Sequence, residues 1–375
     1  MRTQSSKQSV SPIEIVPRDV LSLIFYQCLS NIHGDEETIP TTTPITLALV
    51  SKQWKDTVWS SVELWTTLSL SNVLSKDHIK SWFARAGSEL PLSLRIRHSP
   101  CPETSRLDFV GLNDVLLTYA DRFEHLHLTL PTRYWGALSL TNFRPTRLRS
   151  FRIFGEGALR RIIDPVDLTA SPQLSDLAIS NTFLRFLQVD WKALRKLTME
   201  TMLMKEALEM LSEGTGLVHL VVRNLILEHS WVAPIYDTRK AISLPHLRTL
   251  DWTERRRYGG MAPPGSWDFL GIQTPRLQTF RFVTEGQMSH DLVPWIAQHP
   301  SLSLSVLGEY RGKDEGHRWQ VSHQIVVLSN EASKMFLDDP SSLPPLDAMD
   351  GQGGARWCCR HPDLLSERTS LIDVS

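Results

Sequence analysis

Cys358, Cys359 and His361 are the residues closest in type and spacing to a metal site, two thiols and an imidazole near the end of the chain. A tetrahedral zinc site takes four such donors; adjacent cysteines are poor partners for one ion, and no further Cys or His lies at finger-like spacing. The cluster is therefore read as structural and no metal is expected. His125 and His127, alternate residues of the run FEHLHL, share a face if that run is a strand, but no third ligand is evident. Arg255, Arg256 and Arg257 have surroundings that are not basic and read as a solvated loop.

No G-x-S-x-G elbow, Walker-type phosphate loop, G-x-G-x-x-G turn or H-E-x-x-H helix occurs in the 375 residues. Those motifs carry the usual mechanics of hydrolases, nucleotide sites and zinc proteases. No catalytic residue and no cofactor is expected, although catalytic groups can also converge from distant positions, which keeps an unrecognised enzyme as a third reading. The 40 Lys and Arg against 41 Asp and Glu give a formal charge of -1, so nothing draws the chain to a phosphate-rich polymer, and no nucleic acid partner is expected. The first residues, MRTQSSKQSVS, hold no apolar run of signal-peptide length, and no later run approaches a membrane span. The four cysteines, Cys28 and Cys101 among them, are too sparse for a disulfide framework. A soluble intracellular chain with reduced thiols, cytoplasmic or nuclear and without a membrane partner, is the expectation.

Helix signals open the chain. Pro17 suits a first helical position and Asp19 the positive end of the helix dipole, and Val20, Leu21, Ile24, Phe25 and Cys28 then form an apolar stripe. A polar stretch from Asn31 to Thr43 interrupts the pattern before Thr43 and Pro44 offer a second cap and start. Leu47, Val50 and Trp54 recur at helical spacing through ITLALVSKQWKDTVW; alternatively Ser51 caps a separate third helix holding Trp54 and Val58. ELWTTLSL follows from Glu63.

In that order, VPRDVLSLIF, LVSKQWKDTVW and ELWTTLSL resemble the F-box-like proteins abundant in fungi, over Ile13 to Leu70. The resemblance implies a small helical bundle that docks on a Skp-type adaptor of a cullin-RING ubiquitin ligase. Val16, Pro17, Val20, Leu21, Ile24 and Phe25 match the leading motif of the family, and Val50, Ser51, Trp54 and Lys55 the second. Asp19 stands where Glu is commoner, and the polar insert before Pro44 departs from the family pattern. The plainer reading of the same residues is an amphipathic helical hairpin packed on the rest of the protein.

From Phe123 onward a pattern with apolar residues at positions one, four and six recurs every roughly 20 to 30 residues. The copies FEHLHL, LRSFRI, LSDLAI, LRKLTM, LVHLVV, LRTLDW and LQTFRF begin at Phe123, Leu148, Leu174, Leu194, Leu217, Leu247 and Leu277, with PLSLRI from Pro91 a possible earlier copy and a degenerate one near Leu302. Positions four and six predict a strand buried on one face, with position one in the turn before it. Lys205 to Leu211, with Ala207, Leu208 and Leu211, predicts a helix on the opposite side. Units that cannot bury their own face must stack, and the product resembles leucine-rich repeats, irregular because the family's ninth-position asparagine is missing and Asn181 and Asn224 come one place early. The alternative is an ordinary α/β domain.

If the strands line a concave surface, positions three, five and seven face outward on it. His125, His127, Arg152, Phe154, Asp176, Lys196, Glu200, His219, Arg223, Asp251 and Arg281 are then the client-binding candidates, a mixture suited to a protein ligand. The expected fold class is α+β to α/β: a flexible N-terminus (1–12), a small helical F-box bundle (13–70), an irregular leucine-rich-repeat-like solenoid (71–337) and a flexible tail (338–375). The expected function is the substrate-recognition subunit of a ubiquitin ligase, with an unknown protein client; the alternative is an interaction scaffold with no link to ubiquitination.

Overall fold

Short polar residues cap several of the helix starts. In the computed structural model, described for residues 16–30, 43–71, 75–98, 109–132, 135, 138, 140, 142–156, 166–181, 187–225, 242–254, 271–284, 303–313 and 319–328, helix α1 spans Arg18–Ser30, and Pro17 O accepts its first bond from Leu21 N at 3.0 Å. Helix α2 (Pro44–Ala48) has Thr43 as its cap, with the hydroxyl accepting from Thr46 N at 3.2 Å. Ser51 does the same for Trp54 N at 3.2 Å, so α3 (Lys52–Ser60) is a separate helix. Both α1 and α2 pack on α3. Ser22 Oγ donates to Ser61 Oγ at 2.8 Å, Gln53 Nε2 to Val16 O at 3.0 Å, and the Phe25 and Trp54 rings lie 4.7 Å apart.

The chain divides into two compact units, Met1–Leu174 with Phe186–Val189 and Ser175–Arg185 with Asp190–Ser375. In the first, a 3₁₀ turn (Val62–Trp65) leads directly into strand β1 (Thr67–Ser71), which pairs in parallel with β2 (Leu92–Arg97). Parallel strands β3 (Phe123–Pro131) and β4 (Ser150–Glu156) follow in chain order. Helices α4 (Lys76–Arg85) and α5 (Phe109–Thr118) make the crossovers and pack on each other. Leu94, Ile96, Leu126, Leu128, Phe151 and Ile153 fill one face of the sheet with Ile79, Phe83, Val115 and Leu116 of the helices in the same buried set. A two-residue parallel pair, β5 (Val166–Asp167) with β7 (Leu187–Gln188), completes the unit.

In the second unit β6 (Asp176–Ser180), β8 (Lys196–Glu200), β9 (His219–Arg223), β11 (Thr249–Glu254), β13 (Thr279–Thr284) and β14 (Ser303–Lys313) pair in parallel, again in chain order. Strand β15 (Trp319–Leu328) joins β14 antiparallel. The entries to β9, β11 and β13 are tight turns: Leu217 N bonds Gly214 O, Leu247 N Leu244 O and Leu277 N Thr274 O, at 3.1 to 3.2 Å, and all three leucines are buried. At the exits Asn181, Thr201 and Asn224 have φ of 54°, 53° and 52°, and their N–H groups donate to Glu200 O, Arg223 O and Thr253 O on the next strand. Asparagine tolerates that left-handed region, which is the structural use of Asn181 and Asn224. Helix α6 (Met204–Glu213) buries Ala207, Met210 and Leu211 and packs on β10 (Ile242–Ser243), whose parallel partner is β12 (Ile272–Gln273).

This architecture corrects the expected fold class of an N-terminal helical F-box bundle followed by a leucine-rich-repeat-like solenoid. The chain is α/β, built on a large parallel sheet with few helices, and its N-terminal helices are not a bundle apart: the 3₁₀ turn after α3 runs straight into the sheet. Trp65 is 1% exposed, its Nε1 donates to Val58 O at 3.1 Å, and its ring stacks on Trp59 at 4.9 Å and meets Trp82 of α4 edge-on at 4.8 Å. That indole joins α3 to α4. The L-x-x-L-x-L pattern states only that a strand is buried on one face after a turn, which any one-sided parallel sheet also requires.

Candidate functional site

Leucine-rich helices in water bury their apolar residues unless something else is to cover them, and the first unit departs from that rule in one place. Among the described residues, the exposed large hydrophobic side chains are Val20, Leu23, Ile24 and Tyr26 of α1, Ile45, Leu49 and Val50 at α2, Trp59 and Val62, and the isolated Val110. Leu49 is 81% exposed, Leu23 61% and Val50 59%. The stripe read from the sequence thus splits in two. Leu21 and Phe25 point inward, one turn apart, and hold α1 against Trp54, whereas Val20 and Ile24 share the outer side with Leu23. Val16 is half-buried, Pro17 and Lys55 are exposed, and Ser51 and Trp54 are half-buried, with Ser51 occupied as the cap of α3.

The second concentration of chemistry is the sheet face opposite the buried one. In the first unit, register places three rows across β1 to β4: Thr67, Ser93, His125 and Ser150; Ser69, Arg95, His127 and Arg152; Ser71, Arg97, Thr129 and Phe154. His127 Nε2 lies 3.3 Å from Ser150 Oγ. In the second unit the rows across β6, β8, β9, β11 and β13 are Asp176, Lys196, His219, Thr249 and Thr279; Ala178, Thr198, Val221, Asp251 and Arg281; Ser180, Glu200, Arg223, Thr253 and Val283. Acid and base alternate there: Asp176 stands beside Lys196, Glu200 beside Arg223, and Arg281 Nη1 lies 3.4 Å from Asp251 Oδ2.

No family model matches the chain, and no curated protein matches it significantly. Both surfaces are accordingly read from their own residues.

All eleven client-binding candidates stand on these rows: His125, His127, Arg152, Phe154, Asp176, Lys196, Glu200 and Asp251 half-buried, and His219, Arg223 and Arg281 exposed. The rows also hold two cations that sequence reasoning missed, Arg95 and Arg97 of β2. The signal was the alternation in PLSLRIR, one residue longer than the motif sought. On α1 the missed residue is Leu23, which lies three positions after Val20 and so shares its side, while the spacing of Leu21 and Phe25 drew attention to the buried stripe.

Among the described residues no group of three or more His, Cys, Asp or Glu side chains is placed to hold a metal ion, and no helix is long and apolar enough to cross a membrane. Cys101, Cys358, Cys359, His361, the Arg255–Arg257 triplet, Leu302 itself, and the segments 1–12 and 338–375 lie outside the described residues, while the rest of the copy near Leu302 is strand β14.

Proposed function

We propose that this chain is a non-catalytic receptor subunit of a cullin-RING ubiquitin ligase, working in the cytoplasm or nucleus. The outward side chains of α1 and α2 dock on a Skp-type adaptor, and the polar sheet rows hold a protein client. The observation that carries the reading is that, among the residues whose burial is described, the exposed large hydrophobics are confined, Val110 excepted, to Val20 through Val62. That segment is the one whose sequence resembles F-box-like proteins. Exposed apolar side chains concentrated on neighbouring helices mark a surface meant for another protein. No active-site group is required of the chain, since the transferase comes with other subunits.

The test is co-purification of the full chain with a Skp-type adaptor. Because Leu21 is core, the informative variant alters outward residues only: Ile24→Asp with Leu49→Asp. The wild type is expected to retain the adaptor, and the variant, with an unchanged circular dichroism spectrum, to lose it. No binding by well-folded wild type sinks the receptor reading and favours an interaction scaffold with no link to ubiquitination.

A further inference from the structure

Trp59 and Val62 are exposed apolar residues that the adaptor reading leaves unused, because they lie on α3 and the 3₁₀ turn and not on α1 or α2. Helix α3 is two-sided. Gln53 and Trp54 hold α1, and Thr57 and Val58 are buried, whereas the opposite side carries Lys52, Lys55 and Trp59, all exposed, at i, i+3 and i+7. Trp59 is 46% exposed yet fixed in place: its ring stacks on the buried Trp65 at 4.9 Å, and the Arg85 guanidinium sits over it at 4.7 Å. Among the described residues Lys52, Lys55 and Arg85 make no ion pair, and neither does the neighbouring Asp56, whereas Lys76 and Lys80 of α4 share Asp114. Solvation accounts for the two lysines. It does not account for a rigid indole held half out of water among three cations, since apolar surface left exposed forgoes the stabilisation that burial gives.

We propose that this outer side of α3, together with Arg85, is a second protein-docking surface, one that takes an acidic segment carrying a large apolar side chain. Trp59 and Val62 supply the apolar contact, and Lys52, Lys55 and Arg85 the charge. Trp and Arg are among the residues that most often dominate protein interfaces, and an indole already held by Trp65 gives up little freedom on binding. Lys52 and Trp59 stand about 10 Å apart along the helix axis, a length that about four extended residues cover. Lysine ammonium groups swing on flexible stems, so the carboxylates need no fixed spacing to reach them. A peptide suits the strip better than a nucleic acid does. Three cations in a chain of formal charge -1 are few for a phosphate backbone, and one indole is no platform for successive bases. The strip lies on the side of α3 away from α1, so it leaves the outward faces of α1 and α2 open, and the inference is independent of the receptor reading.

The experiment uses the full chain and a short fluorescein-labelled peptide of glutamates around one central leucine, read by fluorescence anisotropy at low and high salt. Wild type is expected to bind, more weakly as salt rises. Trp59→Ala is expected to lose about tenfold or more in affinity, and Lys52→Gln with Lys55→Gln about fivefold at low salt. The lysine pair keeps the test decisive if Trp59→Ala disturbs the stack on Trp65, since neither ammonium group has an ion-pair partner to lose. Replacing the leucine of the peptide by glycine is expected to weaken its binding to wild type and to leave its binding to Trp59→Ala unchanged. Leu23→Gln, on the outward side of α1, is expected to change affinity less than about twofold. No binding by wild type, an unchanged affinity in the lysine pair, an equal loss with Leu23→Gln, or binding of oligouridylate with none of the peptide overturns the proposal.

Discussion

The two units bury the apolar face of a parallel sheet by different means. The first uses aromatic side chains on its helices and at the start of β3: Trp65 and Trp82, then Phe83, Tyr119 and Phe123 in edge-on contact, with the Arg85 guanidinium 4.7 Å from the Trp59 ring centroid and 4.9 Å from that of Trp65. The second uses backbone proximity: tight turns at strand entries, left-handed residues at strand exits, and among the described residues one helix, α6. Aromatic packing by helices leaves other helix faces free to point outward, and that is where the first unit exposes Leu23, Ile24 and Leu49. Turns that bring backbones together leave no such surplus. Between Ser175 and Phe282, the second unit has no exposed large hydrophobic among its described residues.

The sharpest way to break this contrast is at Trp65. Trp65→Ala removes the indole between α3 and α4 and its bond to Val58 O. A loss of about 3–5 kcal/mol is expected in urea denaturation. A loss below about 1 kcal/mol would mean that the aromatic cluster does not organise the first unit.

The second unit has its counterpart in Gly216. A Cβ built there would lie 2.1 Å from Lys192 O, a backbone atom that cannot swing away. Gly216→Ala is expected to cost about 1–3 kcal/mol or more through forced backbone shifts. Alanine at Gly87, which has a φ of 71° but open space around its Cβ, is expected to cost less, roughly 1 kcal/mol. Equal losses would show that conformational freedom, not close approach, is what glycine supplies to the second unit.

These two residues also measure how far the sequence could be read. The apolar positions at one, four and six specified the strands, because a strand buried on one face must alternate. Thr43 and Ser51 specified two helix starts, because a cap acts within its own turn. Other features depend on distant partners. Glycine at 216 carries no mark of its approach to Lys192, and ELWTTLSL could not announce that its last residues pair with Leu92–Arg97. For the same reason the N-terminal helices read as a separate bundle, and the apolar residues of α1 read as one stripe instead of a buried and an exposed one. Of the candidate surfaces, the sheet rows were legible from alternation alone, whereas the outward position of Leu23 and Leu49 needed the packing of α1 and α2 on α3.

A smaller effect sharpens the account of the strand exits. Thr201 holds a φ of 53°, where a β-branched residue is strained, at the place that Asn181 and Asn224 occupy on neighbouring strands. Thr201→Asn is expected to raise stability by roughly 0.5–1 kcal/mol, measured by thermal unfolding. A drop instead would mean that the buried threonine side chain supplies more than its backbone strain removes.

The smallest expected effect is electrostatic and lies in the first unit, on helices behind the sheet. Asp114 of α5 accepts from Lys76 at 2.6 Å and Lys80 at 2.7 Å, and the two hydrogen bonds hold its pKa down at about 2, against an ordinary value of 3.8. A carboxylate with a depressed folded pKa stabilises the fold at pH values above the unfolded pKa, and that contribution disappears as pH falls from there through about 2. The group is solvent-exposed, so the gain is screened and salt-sensitive. An NMR titration of the Asp114 side chain is expected to place its midpoint well below that of an ordinary aspartate, and Lys80→Gln to move it upward. A midpoint unmoved by that change would mean that the α4 to α5 bridge is not formed in solution. The helices would then be held together by Phe83, Tyr119 and their aromatic neighbours alone.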